Sequence, residues 1–328
     1  MGVGVVGTAF LQLLVEKAPE LRSEYGLSPT LVAVADSKSA LYDERGLDIR
    51  KLIEFKKSHG CFSGLPEEID ARGAKLIEEV EADVLVEVTP SNYINGEPGL
   101  SHMKAALNTG KHVITANKGP LAIEMPALIE MFRESGLKLF FSGAVGGGTP
   151  FVRFARNCLI GERITEIRGV LNGTTNYILT RMESGITFDE ALREAQELGY
   201  AEADPTNDVD GWDSAAKLVI LSNLAMELDA TIRDVEVRGI RGLRISEDLL
   251  SSDKTIRLIA SADADGLKVG PEVLDRTDPL SVSGALNAVS FYTERSGRHT
   301  LIGKGAGGQE TAVALLRDLV ELKMSLRR

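Results

Sequence analysis

The sequence predicts an α/β protein with two domains, a Rossmann-type parallel-sheet domain and an α+β domain. A glycine motif opens the chain, short apolar segments then alternate with helix-like segments, and the pattern changes after Pro150. Strands that alternate with helices form βαβ units and a parallel sheet. We place the first domain at residues 1–141 and 304–328 and the second domain at residues 142–303.

The composition is that of an ordinary soluble globular protein, because 43% of the 328 residues are hydrophobic and 26% are charged. A net charge of -11 argues against nonspecific binding to nucleic acid or to anionic membranes. The two cysteines, Cys61 and Cys158, have no disulfide or metal-site spacing. The sequence shows no membrane span or signal peptide. We therefore expect a cytoplasmic protein with no nucleic-acid or membrane partner.

The opening glycine motif matches G-x-G-x-x-G, in which glycines allow a tight turn and let the backbone approach a pyrophosphate. It assigns five residues to dinucleotide binding: Gly2, Gly4, Val5, Val6 and Gly7. Residues 8–16 then predict a helix whose N-terminus faces the phosphates. The alternative interpretation is a glycine-rich tail.

The glycine motif begins without the strand that normally precedes it in mid-sheet. That strand would take about five or six residues. Without it, two neighbouring strands would bury unpaired backbone groups, which is costly. We expect either that the natural chain begins upstream, or that this chain binds cofactor poorly with residues 1–8 displaced.

Four apolar segments predict the strands of the first domain, and ligands of such sheets bind beyond the carboxyl ends of the strands. These segments are residues 31–36, 83–88, 112–115 and 137–142, with helix-like segments at residues 100–110 and 121–136. The residues that follow the strands and line the predicted crevice are Asp36, Thr89, Pro90, Ser91, Asn117, Lys118 and residues 143–148.

Asp36 stands where an acid holds the ribose hydroxyls of NAD. Lys38, Lys56 and Lys57 follow within reach of an added 2′-phosphate, which would favour NADP. The sequence leaves both cofactors open. The four histidines are scattered without metal spacing and are interpreted as structural.

Residues 198–217 crowd several acids beside one lysine. Pro205 closes the loop, and Thr206, Asn207 or Asp208 is predicted to cap the helix that follows. Residues 211–225 are apolar nearly all round, which predicts a buried helix. Asp213 and Lys217 are four residues apart and therefore lie on one face of that helix.

This acid–lysine pair has two interpretations. In the first, Lys217 polarises or protonates a substrate oxygen, Asp213 orients it, and Glu202 holds a substrate cation. In the second, the pair is a solvated salt bridge on a helix with one wet side.

The run AQELGYAEADPTNDVDGWDSAAK, residues 195–217, resembles the signature of homoserine dehydrogenases. The positions that match are Glu202, Pro205, Asp208, Gly211, Asp213 and Lys217. Residues 88–92, 114–122, 141–150, 172–179 and 303–308 resemble further segments of the same family.

The resemblance implies a role for each matching residue. It implies catalytic roles for Lys217, Asp213 and Lys118, and it does not decide which lysine is the general acid. It assigns the substrate to Glu202, which would hold the ammonium, and to Tyr200, Gly173, Thr174 and Asp208. It also places Thr89, Pro90 and Ser91 beside the nicotinamide, and it assigns Gly305, in a segment that returns to the dinucleotide-binding domain, to the cofactor. Lys38 is a candidate cofactor contact because it lies within reach of an added 2′-phosphate.

Residues 141–150 resemble a glycine-rich turn in which a glutamate and nearby carbonyls bind sodium in some members of the family. Ser142 stands where the glutamate is expected, so that carboxylate is missing. The carbonyls of Val145 and Gly147 remain candidate sodium ligands, since hard cations accept backbone oxygen. The alternative is a glycine hinge.

The second domain is predicted as a sheet covered by helices on one face. Thr187 and Glu190 form a capping box that opens a helix ending near Gly199. Strands are predicted at residues 167–171, 255–263, 267–274 and 287–294, with a final helix at residues 310–324. In the family this sheet pairs across a dimer, so the resemblance implies a homodimer. We expect no ligand-sensing domain after Met324.

The resemblance implies an NAD(P)-dependent oxidoreductase that interconverts L-homoserine and L-aspartate 4-semialdehyde, a small-molecule step toward threonine and methionine. Two alternatives remain at this point. One is another two-domain amino-acid dehydrogenase, which leaves residues 198–217 unexplained. The other is a nucleotide-binding regulatory protein without turnover.

Overall fold

The computed structural model describes residues 1–250 and 253–326 and divides into two compact units. The first unit comprises Met1–Gly148 together with the chain from Gly307 onward, and the second comprises Thr149–Ala306. These divisions fall seven and three residues after the predicted domain boundaries at 141/142 and 303/304. No helix among the described residues is both long and apolar enough to cross a membrane.

The helices and strands follow in chain order. The first unit begins with α1 (Val5–Glu16), α2 (Ala18–Tyr25), β1 (Ala33–Ala35), β2 (Ala40–Tyr42), α3 (Ile49–His59), α4 (Gly73–Glu79), β3 (Val84–Glu87), α5 (Gly99–Asn108), β4 (His112–Thr115), α6 (Lys118–Glu134) and β5 (Leu139–Phe140). The second unit contains α7 (Phe151–Arg153), β6 (Ile164–Val170), α8 (Gly173–Met182), α9 (Phe188–Glu197), α10 (Thr206–Val209), α11 (Trp212–Met226), β7 (Val235–Val237), α12 (Glu247–Leu250), β8 (Lys254–Asp263), β9 (Gly266–Asp275), β10 (Leu286–Thr293) and β11 (Gly297–Lys304). The first unit is completed by α13 (Gly308–Ser325).

The first unit contains two separate sheets, a parallel one and an antiparallel pair, so β1 does not join the parallel sheet that the sequence predicted. Strands β3, β4 and β5 are parallel, with Val84 opposite His112 and Val113 opposite Leu139. Strands β1 and β2 form a separate antiparallel pair. All four predicted strands are confirmed, although the strand predicted at residues 137–142 is reduced to β5. Strand β2 was not predicted.

The first residues of the chain lie between β1 and β3. The Met1 α-ammonium donates to the Val86 carbonyl at 2.7 Å, and the Val88 N–H donates to the Met1 carbonyl at 2.9 Å. This is the hydrogen-bond pattern of parallel pairing between Met1 and Glu87. On the other side, the Gly2 N–H donates to the Ala35 carbonyl at 2.9 Å. The expectation that residues 1–8 are displaced is therefore wrong, because these bonds hold them against both strands.

A cavity of about 810 Å³ continues from Met1 along the same two strands. It is lined mainly by apolar residues of β1, β3, α1 and α13, among them Leu11, Val34, Leu85 and Leu319. We call this space the strand slot. It lies beside β1 and β3, next to the residues of the glycine motif.

Helices α1 and α13 pack against each other and against the sheet. Phe10, Leu14, Leu315 and Leu322 are buried in this cluster, which makes it the larger core of the first unit. Helix α1 begins at Val5, three residues before the predicted start at residue 8. Pro126 lies inside α6, and Glu124, two residues before it, leaves the helical conformation.

The second unit is a six-stranded sheet in the order β11-β10-β6-β8-β9-β7. Helices α8 and α11 pack against it, and residues 214–223 of α11 are buried, as the apolar sequence predicted. The capping box of Thr187 and Glu190 at the start of α9 is confirmed.

The prediction that Thr206, Asn207 or Asp208 caps the buried helix is wrong. These three residues form the short helix α10, and α11 begins only after Gly211. Gly211 has φ +91°, and its left-handed turn separates the two helices. Asp208 does not cap α11, and its side chain instead accepts a hydrogen bond from Asn172.

Candidate active site

The glycine turn of the first unit is built to let a ligand approach the start of α1. A Cβ at Gly7 would collide with the Gly2 carbonyl, whereas a Cβ at Gly4 would meet nothing within 4 Å. Gly4 is the N-cap residue of α1, and no side chain caps the helix there. The N–H groups of the first turn, which includes Val5, Val6 and Gly7, thus suit a phosphate.

Asp36 follows β1 at the same edge of the sheet and is held by several donors. Its Oδ1 accepts from the N–H groups of Lys38 and Ser39, both at 2.8 Å, and its Oδ2 pairs with Lys56 Nζ at 2.5 Å. Burial alone would raise the pKa of the Asp36 carboxyl, but the Lys56 ammonium and the N–H donors hold it below the ordinary value. Of the predicted lysines, Lys56 is therefore the one that contacts Asp36 through its side chain, and Lys38 contributes its backbone.

A buried hydrogen-bond network fixes the turn after β3. Glu87, with no exposed surface, accepts from His102 Nδ1 at 2.7 Å and from the Thr89 N–H at 2.9 Å, and also from the Thr89 hydroxyl. Asn117 Nδ2 donates to Thr89 Oγ1 at 3.1 Å and to the Pro90 carbonyl at 3.4 Å. The network orients Thr89 and Pro90, which the sequence assigned to the cofactor. The sequence did not reveal Glu87 or His102, because their pairing joins β3 to a helix 15 residues later.

Lys118 begins α6 directly beside that turn. Its N–H donates to Ser91 Oγ at 2.9 Å, and Asn117 Oδ1 caps the helix by accepting from the Gly119 N–H. The structure thus brings Ser91 and Lys118 together, as two of the residues predicted for the cofactor.

The loop with the predicted sodium ligands is tied to α13. The buried Asp318 carboxylate accepts from the Ser142 N–H at 2.8 Å, so a carboxylate does lie beside the position where the family has glutamate. Val145 is buried and Gly147 has φ +50°. Among residues 1–250 and 253–326, no group of three or more His, Cys, Asp or Glu side chains is arranged to hold a metal ion.

Lys217 and Asp213 form a buried ion pair in the second unit. Lys217 is only 6% exposed, and its Nζ lies 2.8 Å from Asp213 Oδ2. The same ammonium donates to the Leu171 carbonyl, at the end of β6, at 2.7 Å. The solvated salt bridge considered from the sequence is therefore wrong, since water has little access to this lysine. A buried ion pair is costly to fold, which favours a chemical role over a stabilising one.

Asn172, which the sequence analysis did not select, joins this pair to Asp208. Its Nδ2 donates to Asp208 Oδ1 at 2.6 Å and to Asp213 Oδ2 at 2.9 Å. Its Oδ1 accepts from the Thr175 N–H at 2.8 Å and so caps α8. The sequence could have indicated the capping role of Asn172, because an asparagine directly before a helix is a common N-cap. The contact with the two aspartates depends on the fold.

The first turn of α8 lies next to Asn172 and contains Gly173 and Thr174. A Cβ at Gly173 would lie 2.7 Å from the Ala285 carbonyl, so only glycine fits this close approach. Thr174 Oγ1 donates to the Tyr200 carbonyl at 2.6 Å. Tyr200 itself is 47% exposed, with its ring 4.8 Å from that of Tyr177.

For two further predicted site residues, Glu202 and Gly305, the described contacts involve the backbone or packing and not the other predicted site residues. The Glu202 residue is exposed, and its carbonyl accepts from Gln196 Nε2 at 3.1 Å. Gly305 follows β11 within the second unit, where a Cβ would collide with the buried amide of Asn287. The structure thus gives Gly305 a packing role in this unit, whereas the sequence assigned it to the cofactor.

Family models of homoserine dehydrogenase match both halves of the chain. Residues 2–142 match the family model of the NAD-binding domain of homoserine dehydrogenase, and residues 150–320 match the model of homoserine dehydrogenase itself.

Similar proteins extend over the whole chain. A homoserine dehydrogenase of Methanocaldococcus jannaschii is 42% identical over 100% of this chain and 98% of its own. An NAD(+)-dependent homoserine dehydrogenase of Pseudomonas canavaninivorans is 39% identical over 100% and 96%.

Solved structures of homoserine dehydrogenases are also similar to this chain over nearly its whole length. A putative homoserine dehydrogenase of Archaeoglobus fulgidus has a TM-score of 0.90 and 37% identity, covering 98% of this chain and 97% of that one. A hyperthermophilic archaeal homoserine dehydrogenase in complex with NADPH has a TM-score of 0.87 and 30% identity, covering 99% and 96%.

Proposed function

The chain belongs to the homoserine dehydrogenase family, and on that premise we propose how its own residues carry out the reaction of the family. The chain is an NAD(P)-dependent oxidoreductase that interconverts L-homoserine and L-aspartate 4-semialdehyde. The family assignment removes both alternatives, the other amino-acid dehydrogenase and the regulatory protein without turnover.

The observation that carries the proposed mechanism is the buried ammonium of Lys217. When bound, the nicotinamide cofactor supplies or accepts the hydride. In the reducing direction negative charge develops on the aldehyde oxygen. Lys217 stabilises that charge and delivers the proton, and its low exposure strengthens the interaction because water does not screen it.

Asp213 holds Lys217 in position for this transfer. Its Oδ2 lies 2.8 Å from Lys217 Nζ, and the Leu171 carbonyl accepts from the same ammonium. Two acceptors thus fix the direction of the ammonium group. In the oxidising direction, Asp213 stabilises Lys217 as it regains its charge after taking the proton of the substrate hydroxyl.

The acids of the second unit bind the amino-acid part of the substrate. Asp208, Asp213 and Lys217 together carry one net negative charge, which attracts an ammonium ion. Glu202 adds a further carboxylate and is assigned to the substrate ammonium, with the first turn of α8 at Gly173 and Thr174 beside the same group.

The cofactor is held by the first unit. The uncapped first turn of α1 fits its pyrophosphate, Asp36 takes the ribose hydroxyls of NAD, and Lys56 suits the 2′-phosphate of NADP. Thr89, Pro90 and Ser91 border the nicotinamide. Lys118 adds positive potential and is the alternative to Lys217 as the proton donor.

Three further proposals accompany this function. The carbonyls of Val145 and Gly147 are candidate sodium ligands, which a comparison of activity in sodium and in choline salts would test.

The chain forms a homodimer through the sheet of the second unit, which would cover the exposed side chains of Val273 and Ile302. A mass of one chain in solution would contradict this. The cytoplasm is the proposed compartment, to be checked by cell fractionation.

The role of Glu202 is tested by Glu202→Gln. This variant should raise KM for homoserine by about tenfold while kcat changes much less, because a lost charge contact to the bound substrate weakens ground-state binding. Steady-state reduction of NAD(P) measures both constants. Glu197→Gln, at the exposed end of α9, is the matched control and should leave both unchanged. An unchanged KM with a lower kcat in Glu202→Gln would remove Glu202 from this role.

A further inference from the structure

Asn172 stands at the centre of the acidic cluster of the second unit. It lies between the end of β6 and the start of α8, and it is 4% exposed. Its amide nitrogen donates to carboxylates from two different helices, Asp208 of α10 and Asp213 of α11. Its amide oxygen accepts from the Thr175 N–H and hydroxyl. Both ends of this side chain are therefore engaged.

Two carboxylates this close to one atom would repel each other without a donor between them. Asp208 Oδ1 and Asp213 Oδ2 lie 2.6 and 2.9 Å from the same nitrogen. Such pairs of acids usually share a proton, because both cannot ionise at short distance. The amide supplies two N–H groups without adding charge, so both acids can stay ionised.

The charged state of Asp213 decides the behaviour of Lys217. An ionised Asp213 holds the lysine side chain by an ion pair, and the lysine is then directed by two acceptors, Asp213 Oδ2 and the Leu171 carbonyl. A protonated Asp213 would weaken the pair. Asp210, which lies between Asp208 and Asp213 in the chain, is engaged by Arg241 at 2.7 Å.

We infer that Asn172 is a positioning residue for the reaction, which bridges Asp208 and Asp213 so that both stay ionised and Asp213 holds Lys217 in place. This inference rests on the proposed roles of Lys217 and Asp213. It goes beyond them by adding a residue that does not touch the substrate but sets the protonation of a group that does.

Two substitutions separate this role from helix capping. Serine and aspartate are both good N-cap residues, so Asn172→Ser and Asn172→Asp retain the acceptor for α8. Asn172→Ser loses the donors without adding charge. Asn172→Asp loses the donors and adds a third carboxylate. Thr187→Ala, which removes the cap of α9, is the control for loss of a cap alone.

Activity is the first measurement. Both Asn172 variants should lower kcat by about tenfold to a hundredfold, since a buried donor to two charged groups is lost. In Asn172→Asp the acidic limb of the pH profile should also move to higher pH, because the three acids share a proton. Thr187→Ala should keep kcat and the pH profile and lose only thermal stability. Variants of Asn172 that fold and keep kcat within about twofold of the parent would reduce Asn172 to a helix cap.

Direct titration of the carboxylates decides the question without turnover. Carbon-detected NMR of the aspartate side chains in the cofactor-free chain should show a carboxyl of the cluster with a raised pKa in Asn172→Asp. If Asp208 and Asp213 titrate as in the parent chain, the inference is wrong. Because this measurement needs no reaction, it can fail while the assignment of Lys217 stands, and it can succeed if that assignment fails.

Discussion

The isolation of Lys217 from water is what suits it to its role. An exposed lysine interacts weakly with a substrate oxygen because solvent screens it, whereas a charge inside the protein acts over the same distance far more strongly. Burial of that charge costs folding free energy, which Asp213 and the Leu171 carbonyl offset in part. The ion pair thus lowers the folding free energy that the chain could gain at this position, and in return it holds a positive charge in a fixed direction.

We propose that a single residue, Lys56, also decides the preference between NAD and NADP. Lys56 pairs with Asp36 and lies over the Phe62 ring, so its ammonium is held near the ribose position. Lys56→Met should raise KM for NADPH by about tenfold or more, because a charge-assisted contact with the 2′-phosphate is lost. KM for NADH should stay the same or fall, since Asp36 becomes free for the ribose hydroxyls.

Steady-state assays with the two cofactors measure this difference. Lys57→Met removes the same charge from the next, exposed position and serves as the control, with a smaller expected effect. If Lys56→Met changes both cofactors equally, Lys56 supports the fold around Asp36 and does not select the phosphate.

Among the elements, the strand slot is an apolar cavity beside two strands of the first unit. Met1 and Gly2 lie between strands β1 and β3 and bond to Val86, Val88 and Ala35. The slot continues along both strands with apolar walls. A strand in the middle of a parallel sheet is buried on both faces and therefore apolar throughout.

Five apolar β-formers joined to Met1 should enter this slot. They would pair with both strands in the register that Met1 already sets, so we expect a gain of several degrees in Tm and tighter binding of NAD(P), because the glycine turn is then anchored. Calorimetry measures both. An extension of five Gly and Ser residues is the control and should give no gain. Equal Tm and affinity for the two extensions would contradict the account of the slot.

The same extension changes the pH dependence of stability. Burial holds the pKa of the Met1 α-ammonium below its ordinary value of 8.0, although Glu87 partly opposes the shift. The unfolded chain therefore binds more protons than the folded chain, so the free energy of unfolding should rise as the pH increases toward 8. The extended chain has a neutral amide at this position and should lack this rise.

The whole molecule shows which features a sequence can predict. Short apolar segments predicted strands β1, β3, β4 and β5, and the nearly all-round apolar character of residues 211–225 predicted the buried helix α11. The spacing of Asp213 and Lys217 predicted their pairing, since helix geometry fixes neighbours four residues apart. Strands β2, β7 and β11 were missed, and β2 and β7 are only three residues long.

The sequence could not predict contacts between segments that are distant along the chain. Glu87 meets His102, and Asn172 meets Asp208 and Asp213, only once the strands and helices are packed. The cap of α11 was assigned to the wrong residues, because Gly211 in a left-handed turn stands at the N-cap without a side-chain cap. In each case tertiary packing decided between local options that the sequence left equally possible.

The claim that Lys217 stabilises the developing alkoxide is tested most directly by Lys217→Met, which keeps the length of the side chain and removes its charge. Removal of one such electrostatic donor typically costs about 2.7–4 kcal/mol of transition-state stabilisation, about a hundredfold to a thousandfold in kcat. We therefore predict that loss in the oxidation of NAD(P)H by aspartate 4-semialdehyde, with unchanged cofactor affinity. Lys118→Met, assayed in parallel, should lose less. Near-normal turnover in Lys217→Met, with the large loss in Lys118→Met instead, would contradict the account and assign the proton donor to Lys118.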